Sequence, residues 1–184
     1  MENKKVIFLD RDGVINKDTS LYIKSCEEFE FIPKSCEAIG LLTQRGFSII
    51  IITNQSVIGR GFTTKEELEK IFTKMRKGIE EKKGKLLDIF YCPHTPEDNC
   101  ECRKPKTKMI FEAARKYNID ISNSYMIGDS TTDILCGKNA GCKKTVLVKT
   151  GNGKSAETEL KKMDKLPDII ADNLYHAAKI ILAS

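Results

Sequence analysis

Apolar and polar positions along the chain fall into blocks that switch between two periods. Residues 6–9 (Val-Ile-Phe-Leu) and 47–52 (Phe-Ser-Ile-Ile-Ile-Ile) are short, almost continuous apolar runs, the pattern of strands covered on both faces. Between them, residues 33–45 carry Cys36, Ile39 and Leu42 at helical spacing, with Pro33 near the first turn and Gly46 as the stop. Strand, helix, strand in that order predicts a right-handed parallel crossover. Leu68, Ile71, Phe72, Met75 and Ile79 then mark the buried stripe of a long helix, capped at Thr63 or Thr64 with Glu66 or Glu67 at capping-box spacing. Further strands are expected at 86–91, 125–127 and 145–148, and a short one around 168–171. Helices are expected at 107–118, burying Ile110, Ala113, Ala114 and Tyr117, at 132–140, and at the carboxyl end, where His176 reads as structural or exposed. Residues 17–32 are irregular, with Tyr22, Phe29 and Phe31 as apolar anchors, and Gly59-Arg60-Gly61 and Gly151-Asn152-Gly153 read as mobile turns.

The chain has 184 residues, 40% of them apolar and 31% charged, which suits one domain (1–184) with a substantial core. The net charge of +5 is spread among interleaved acids, as on solvated helix faces, so charge gives no indication of nucleic-acid binding. No apolar run approaches the roughly 20 residues of a membrane span, and the start lacks a secretion signal, so the cytoplasm is the expected compartment. Of seven cysteines, Cys26, Cys36, Cys136 and Cys142 are scattered and expected to stay reduced as small core or surface residues.

The chemistry gathers where the strands end. After the first come Asp10 and Asp12, one residue apart, then Gly13. If the chain stays extended, both acids aim at one centre, and two close carboxylates repel unless a cation lies between them, which points to Mg²⁺. An Asp-Gly turn is the equally open alternative. The second strand ends in Thr53-Asn54-Gln55-Ser56, small hydrogen-bonding residues able to cradle a phosphoryl oxygen or simply to form a polar exit. Arg60 is either a phosphate contact or exposed. The fourth ends in Gly128-Asp129-Ser130-Thr131-Thr132-Asp133, where Asp129 can complete a Mg²⁺ site with Asp10, and Asp133 can orient that site or cap the next helix. Cys92, His94, Cys100 and Cys102 lie within eleven residues in two close pairs, a Cys₃His set for a structural Zn²⁺ in a loop spanning 92–104. That loop is too polar to hold its shape by packing, and metal binding would order it. Arg103 and Lys104 follow at once, a guanidinium fork and an ammonium that make an anion clamp.

Taken together, FLDRDGVIN (8–16), FEFIP (29–33), TNQSVIGRG (53–61), YCPH (91–94) with CECRKP (100–105), YMIGDSTTDI (125–134) and VLVKTG (146–151) make the chain resemble the haloacid dehalogenase (HAD) phosphohydrolases. Within them it is similar to the D-glycero-D-manno-heptose-1,7-bisphosphate 7-phosphatases, which share a branch with histidinol-phosphatases. The resemblance covers nearly the whole chain. It implies an α/β fold: a three-layer, Rossmann-like parallel sheet with helices on both faces, a zinc-binding loop insert and no separate cap domain. It implies a monomer acting on a small sugar phosphate, with neither nucleic acid nor membrane as partner. By the same resemblance, Asp10 is the nucleophile that forms an aspartyl-phosphate, and Asp12 carries the proton to and from the reacting oxygens. Mg²⁺ is held by Asp10, Asp129 and the Asp12 carbonyl. Thr53 and Lys104 hold the transferring phosphoryl group, Arg103 binds the phosphate that stays, and Asp18 to Tyr22 with Asn54, Gln55 and Ser56 line the sugar pocket.

Two features depart from the family. Residues 17–22 (KDTSLY) run one residue longer than usual, and Ser130 stands where a substrate-touching lysine is expected. Competing readings are histidinol phosphate as substrate, a nucleic-acid 3′-phosphatase, and a phosphoryl-receiver module without catalysis. The last has no need of a zinc loop bearing Arg-Lys, and the 3′-phosphatase needs a basic groove.

Overall fold

The computed structural model describes residues 5–184. Six strands, β1 (Val6–Leu9), β2 (Ser48–Asn54), β3 (Leu86–Cys92), β4 (Tyr125–Gly128), β5 (Lys144–Val148) and β6 (Ile169–Ala171), form one sheet in the order β3-β2-β1-β4-β5-β6. Every neighbouring pair is parallel. The helices are α1 (Ser35–Gln44), the single-turn α2 (Ser56–Gly59), α3 (Lys65–Glu81), α4 (Lys108–Tyr117), α5 (Thr131–Ala140), α6 (Gly153–Lys162) and α7 (Leu174–Ala183).

Successive strand residues point to opposite faces, so a strand covered on both must be apolar throughout. Ile7, Leu9, Ile49 and Ile51 pack under α1, α3 and α7, while Val6, Phe8, Ile50, Ile52 and Met126 pack under α4 and Cys136 of α5. A smaller cluster, Ile134, Leu147, Ala156 and Leu160, ties α5 and α6 to β5. These are the three layers that the sequence implies. No second sheet forms among the described residues, and none of their helices is long and apolar enough to cross a membrane.

The stripe of α3 is buried as its spacing predicts, each such side chain contributing about 1.5–3 kcal/mol of transfer free energy. Thr64 is its cap, accepting the Glu67 N–H at 3.2 Å, while the Thr63 hydroxyl donates to the Lys24 carbonyl. Elsewhere the structure corrects the expectation. Helix α1 starts at Ser35 behind Lys34, whose φ of 65° is left-handed, so Pro33 precedes the cap instead of occupying the first turn. On α4 it is Met109 that joins Ile110 and Ala113 in the core. Tyr117 is only half-buried because its hydroxyl reaches out to Asp88, and Ala114 is half-buried too.

The sheet order places β1 between β2 and β4, with the chain running outward to β3 and returning on the other side. Ligands of open parallel sheets lie at the carboxyl ends of the strands where the order reverses. Here those are the ends of β1 and β4.

Candidate active site

Asp10 leaves β1 with its N–H still bonded to the Ile127 carbonyl of β4, at 2.9 Å. Past it the chain coils: Ile15 N–H returns to the Arg11 carbonyl, Gly13 N–H to the Asn16 carbonyl, and Gly13 takes a φ of 74°. The chain therefore does not stay extended between Asp10 and Asp12, although both acids still line one cleft. The carboxylates grouped with Asp10, all with oxygens within 4.8 Å of one another, are those of Asp129 and Asp133. Asp12 turns its carboxylate to other partners. Its Oδ1 accepts from Arg11 (Nη2 2.6 Å, Nε 3.0 Å) and Asn16 (2.9 Å), and its Oδ2 from Gln55 Nε2 (2.8 Å). Burial pushes the Asp12 carboxyl up, but the Arg11 guanidinium and these donors outweigh it and hold the group below the ordinary carboxylate value.

Lys104 reaches the acids from the loop after Cys102. Its ammonium has three donors, and all three are engaged: by Asp10 Oδ1 at 2.8 Å, Asp133 Oδ1 at 2.5 Å and the Ile52 carbonyl at 2.7 Å. Burial works against the charged ammonium, and the two carboxylates more than restore it, raising its pKa. Asp133 serves both roles open to it in the sequence. Its Oδ2 accepts from Ser130 N–H and hydroxyl in the capping box of α5, and its Oδ1 holds Lys104. Ser130 is therefore occupied as a helix cap.

Asp129 sits in a cradle that the sequence reading missed. A Cβ on Gly13 or on Gly151 would come 2.1 Å from Asp129 Oδ2, and both glycines have positive φ, so only glycine serves at either place. Asn152 N–H donates to the same oxygen at 2.7 Å, and the Thr150 hydroxyl donates to the Gly13 carbonyl at 2.6 Å. Residues 150–153 are thus a packed wall of the site, not a mobile turn. The legible signal was two glycines one residue apart directly after a strand.

Burial, then Asp133, push Asp10 up to about 7 despite Lys104; burial, then Asp133 and Asp10, push Asp129 up to about 8. Both carboxyls therefore bind protons more tightly folded than unfolded. They favour folding at low pH and cost stability as pH rises from their ordinary 3.8 towards 7–8. Buried oxygens grouped this closely, with one ammonium for three carboxylates, fit a hard divalent cation between Asp10 and Asp129.

These groups face a cleft of about 430 Å³. Thr53 is buried at its base, its Oγ1 accepting from Gln55 Nε2 at 2.9 Å, which leaves its own proton available to donate. The amide of Asn54 bonds both ends of the Lys104 backbone unit (3.0 Å and 3.3 Å), which fixes the lysine's direction. Ser56 opens α2 at the cleft wall. Asp18 accepts from Asn152 Nδ2 at 3.0 Å, joining the 17–22 loop to the Asp129 cradle. Tyr22, in a left-handed conformation, packs against Phe62 at the mouth. Arg103 Nη1 donates to the His94 carbonyl at 3.2 Å. Of the residues proposed from sequence, then, all four catalytic ones and five of the six for substrate line this cleft, while Gln55 is buried and holds Asp12 and Thr53 from behind. A larger groove beside α4, about 820 Å³, is lined by none of Asp10, Asp12, Asp129 and Asp133.

The second cluster is the Cys₃His set. The Sγ atoms of Cys92, Cys100 and Cys102 lie 3.1–3.5 Å apart, and His94 Nδ1 is 3.3 Å from Cys102 and 3.6 Å from Cys92. The cysteines are free, and tetrahedral Zn²⁺ with bonds of about 2.0–2.3 Å sets ligand atoms roughly 3.5–3.8 Å apart. The donor set and its spacing fit that ion. Burial pushes the Cys92 and Cys102 thiols up, whereas at Cys100 hydrogen bonds from the neighbouring thiols and the Arg103 N–H outweigh burial and bring it down to about 7, so Cys100 is the thiol readiest to become a thiolate ligand.

Comparison with known proteins shows what the chain as a whole is similar to. Residues 101–177 match the HAD-hydrolase-like family model. A D-glycero-α-D-manno-heptose-1,7-bisphosphate 7-phosphatase of Photorhabdus laumondii is 40% identical, over 96% of each chain. A D-glycero-β-D-manno-heptose-1,7-bisphosphate 7-phosphatase of Pseudomonas aeruginosa is 42% identical over 82% of this chain and 84% of its own. A crystal structure of the D,D-heptose 1,7-bisphosphate phosphatase from B. bronchiseptica, complexed with magnesium and phosphate, superposes with a TM-score of 0.90. It is 36% identical, covering 97% of this chain and 98% of that one.

Proposed function

The chain belongs to the D-glycero-D-manno-heptose-1,7-bisphosphate 7-phosphatase family of HAD-like hydrolases, and from that premise we propose that it removes the 7-phosphate of such a heptose bisphosphate through an aspartyl-phosphate on Asp10. The observation that carries this reading is the meeting of Asp10, Asp129 and Lys104, from three distant parts of the chain, at the base of one cleft. Mg²⁺ held by Asp10, Asp129 and the Asp12 carbonyl would supply the positive charge that lets a carboxylate approach a phosphate dianion.

An Asp10 oxygen attacks phosphorus in line as the bond to the sugar's C7 oxygen breaks. Asp12 gives that oxygen a proton, and phosphate is left on Asp10. Water then attacks phosphorus, Asp12 takes its proton, and the P–O bond to Asp10 breaks to restore the carboxylate. The surroundings of Asp12 favour its ionised form and so suit the base of the second step. The acid form of the first step is the minority state, which the arriving phosphate dianion would promote by like-charge repulsion. Lys104 steadies the charge of Asp10, and the N–H held by Asp10 is the one it can turn to a phosphoryl oxygen. The Thr53 hydroxyl at the cleft base would be a second donor, and removing one such contact typically costs on the order of 10²–10³ in rate.

Phosphate release should be measured across both anomers of the heptose 1,7-bisphosphate, histidinol phosphate and a 3′-phosphorylated oligonucleotide. We expect a heptose bisphosphate to give the highest kcat/KM, and a clear preference for histidinol phosphate would replace the substrate assignment. Relatives named for the α and the β anomer are almost equally similar to this chain, so the panel also decides the anomer.

We further propose that Zn²⁺ at Cys92, His94, Cys100 and Cys102 orders the 92–104 loop. Chelation should render that loop protease-sensitive and both lower kcat and raise KM, since Lys104 and Arg103 are both carried on it. Limited proteolysis with metal analysis and steady-state kinetics test this; a loop that remains protected after zinc loss would count against it.

A further inference from the structure

The cleft is lined by three cations, Lys104, Arg103 and Arg60. The proposed substrate carries two phosphates, each with roughly 1.5–2 negative charges at neutral pH. Lys104 is held at the base by Asp10, Asp133 and the Ile52 carbonyl, and the one N–H it can turn is taken by the transferred phosphoryl group. The second phosphate must therefore be met by arginine, and the cleft also holds Asp12 and Asp18, which would repel it.

Arg103 has part of its guanidinium bonded to the His94 carbonyl. Arg60 is less committed. Among the described residues its one ion-pair partner is Glu97, at 3.9 Å beyond hydrogen-bond reach. Its guanidinium carbon lies 6.0 Å from the centre of the Tyr22 ring, and Tyr22 itself packs on Phe62, an aromatic platform beside the fork that leaves its donors unoccupied. The backbone beneath is held firmly. Arg60 N–H bonds the Ser56 carbonyl, Gly61 N–H that of Ile58 and Phe62 N–H that of Val57, all within 3.0 Å. Gly59 N–H bonds Pro93 at the start of the zinc loop, and a Cβ on Gly59 would meet that carbonyl at 2.7 Å. The segment expected to be a mobile turn is thus a rigid mount for a cation with free donors, facing the zinc loop across the cleft mouth.

We propose that Arg60 is a specificity-determining residue that, with Arg103, grips the phosphate that is not transferred and so selects substrates bearing two phosphates. This rests on the bisphosphatase reading. A planar, pre-oriented guanidinium suits a phosphate's oxygens, and Arg60 and Arg103 reach the cleft from separate loops, so the second phosphate is held from two sides.

The test compares wild type, Arg60→Ala and Arg60→Lys on the heptose 1,7-bisphosphate and on the heptose 7-phosphate, which lacks the second group. In Arg60→Ala the preference for bisphosphate over monophosphate should narrow by about 10–100-fold, chiefly through KM, and Arg60→Lys should recover part of it. Binding of both ligands to these variants in an Asp10→Asn background, followed by calorimetry, should show the same narrowing without turnover. Equal losses on both substrates, or an unchanged preference, would overturn the role of Arg60 while leaving the phosphatase reading in place. A wild type that does not hydrolyse the bisphosphate would overturn that reading first, and this one with it.

Discussion

Asp10→Asn should give a folded protein whose phosphate release is slower by on the order of 10⁴–10⁶. The substitution keeps the shape of the side chain and removes the attacking oxyanion. It also removes one of three buried carboxylates that repel one another, and Lys104 keeps Asp133 as a partner, so no charge is stranded. The fold should survive, with near-native circular dichroism and thermal midpoint. No phosphoenzyme should be trapped by rapid acid quench, whereas wild type should yield one that treatment with hydroxylamine cleaves. An Asp10→Asn enzyme with more than about one per cent of wild-type rate would rule out covalent catalysis through this residue.

Lys104→Met should be the most destabilising single change at the site. It leaves Asp10 and Asp133 buried with no counter-charge and orphans the Ile52 carbonyl. Breaking a buried ion pair from one side costs about 3–5 kcal/mol. At about 2–4 °C per kcal/mol for a chain of this size, the thermal midpoint should fall by roughly 6–20 °C. Because Asp10, whose carboxyl burial already pushes up, takes up a proton at lower pH, the loss should be smaller at pH 5 than at pH 8. Part of it should return with Mg²⁺, which offers Asp10 another partner. A midpoint within 2 °C of wild type at pH 8 would show that Lys104 is not what balances these acids. The two substitutions separate the roles: Asp10→Asn removes chemistry and spares the fold, whereas Lys104→Met damages both.

Much of this was legible in the sequence because the signals are local. Four consecutive apolar residues in β1 and the run in β2 can only be strands covered on both faces, and the five-residue stripe of α3 allows one orientation. The close spacing of Cys92, His94, Cys100 and Cys102 is likewise a local fact, since chain length alone keeps the ligands within reach. Helix burial was misjudged where one polar partner decided it, as with Tyr117 and its bond to Asp88. Arg11 was overlooked because an arginine between two aspartates looks solvated, yet it is almost completely buried, and it governs Asp12.

The positions of the strands along the chain, most of the apolar core and the identity of the acids were therefore determined by the sequence itself, since each depends on neighbours a few residues away. Which acids meet was decided only by the fold. Coiling after Asp10 turns Asp12 towards Arg11, while the pairing of β1 with β4 brings Asp129 and Asp133 in its place. The Gly13–Gly151 cradle and the rigid seat of Arg60 belong to the same class. They arise from close approach between segments tens or more than a hundred residues apart, and no pattern along one segment records what another will press against it.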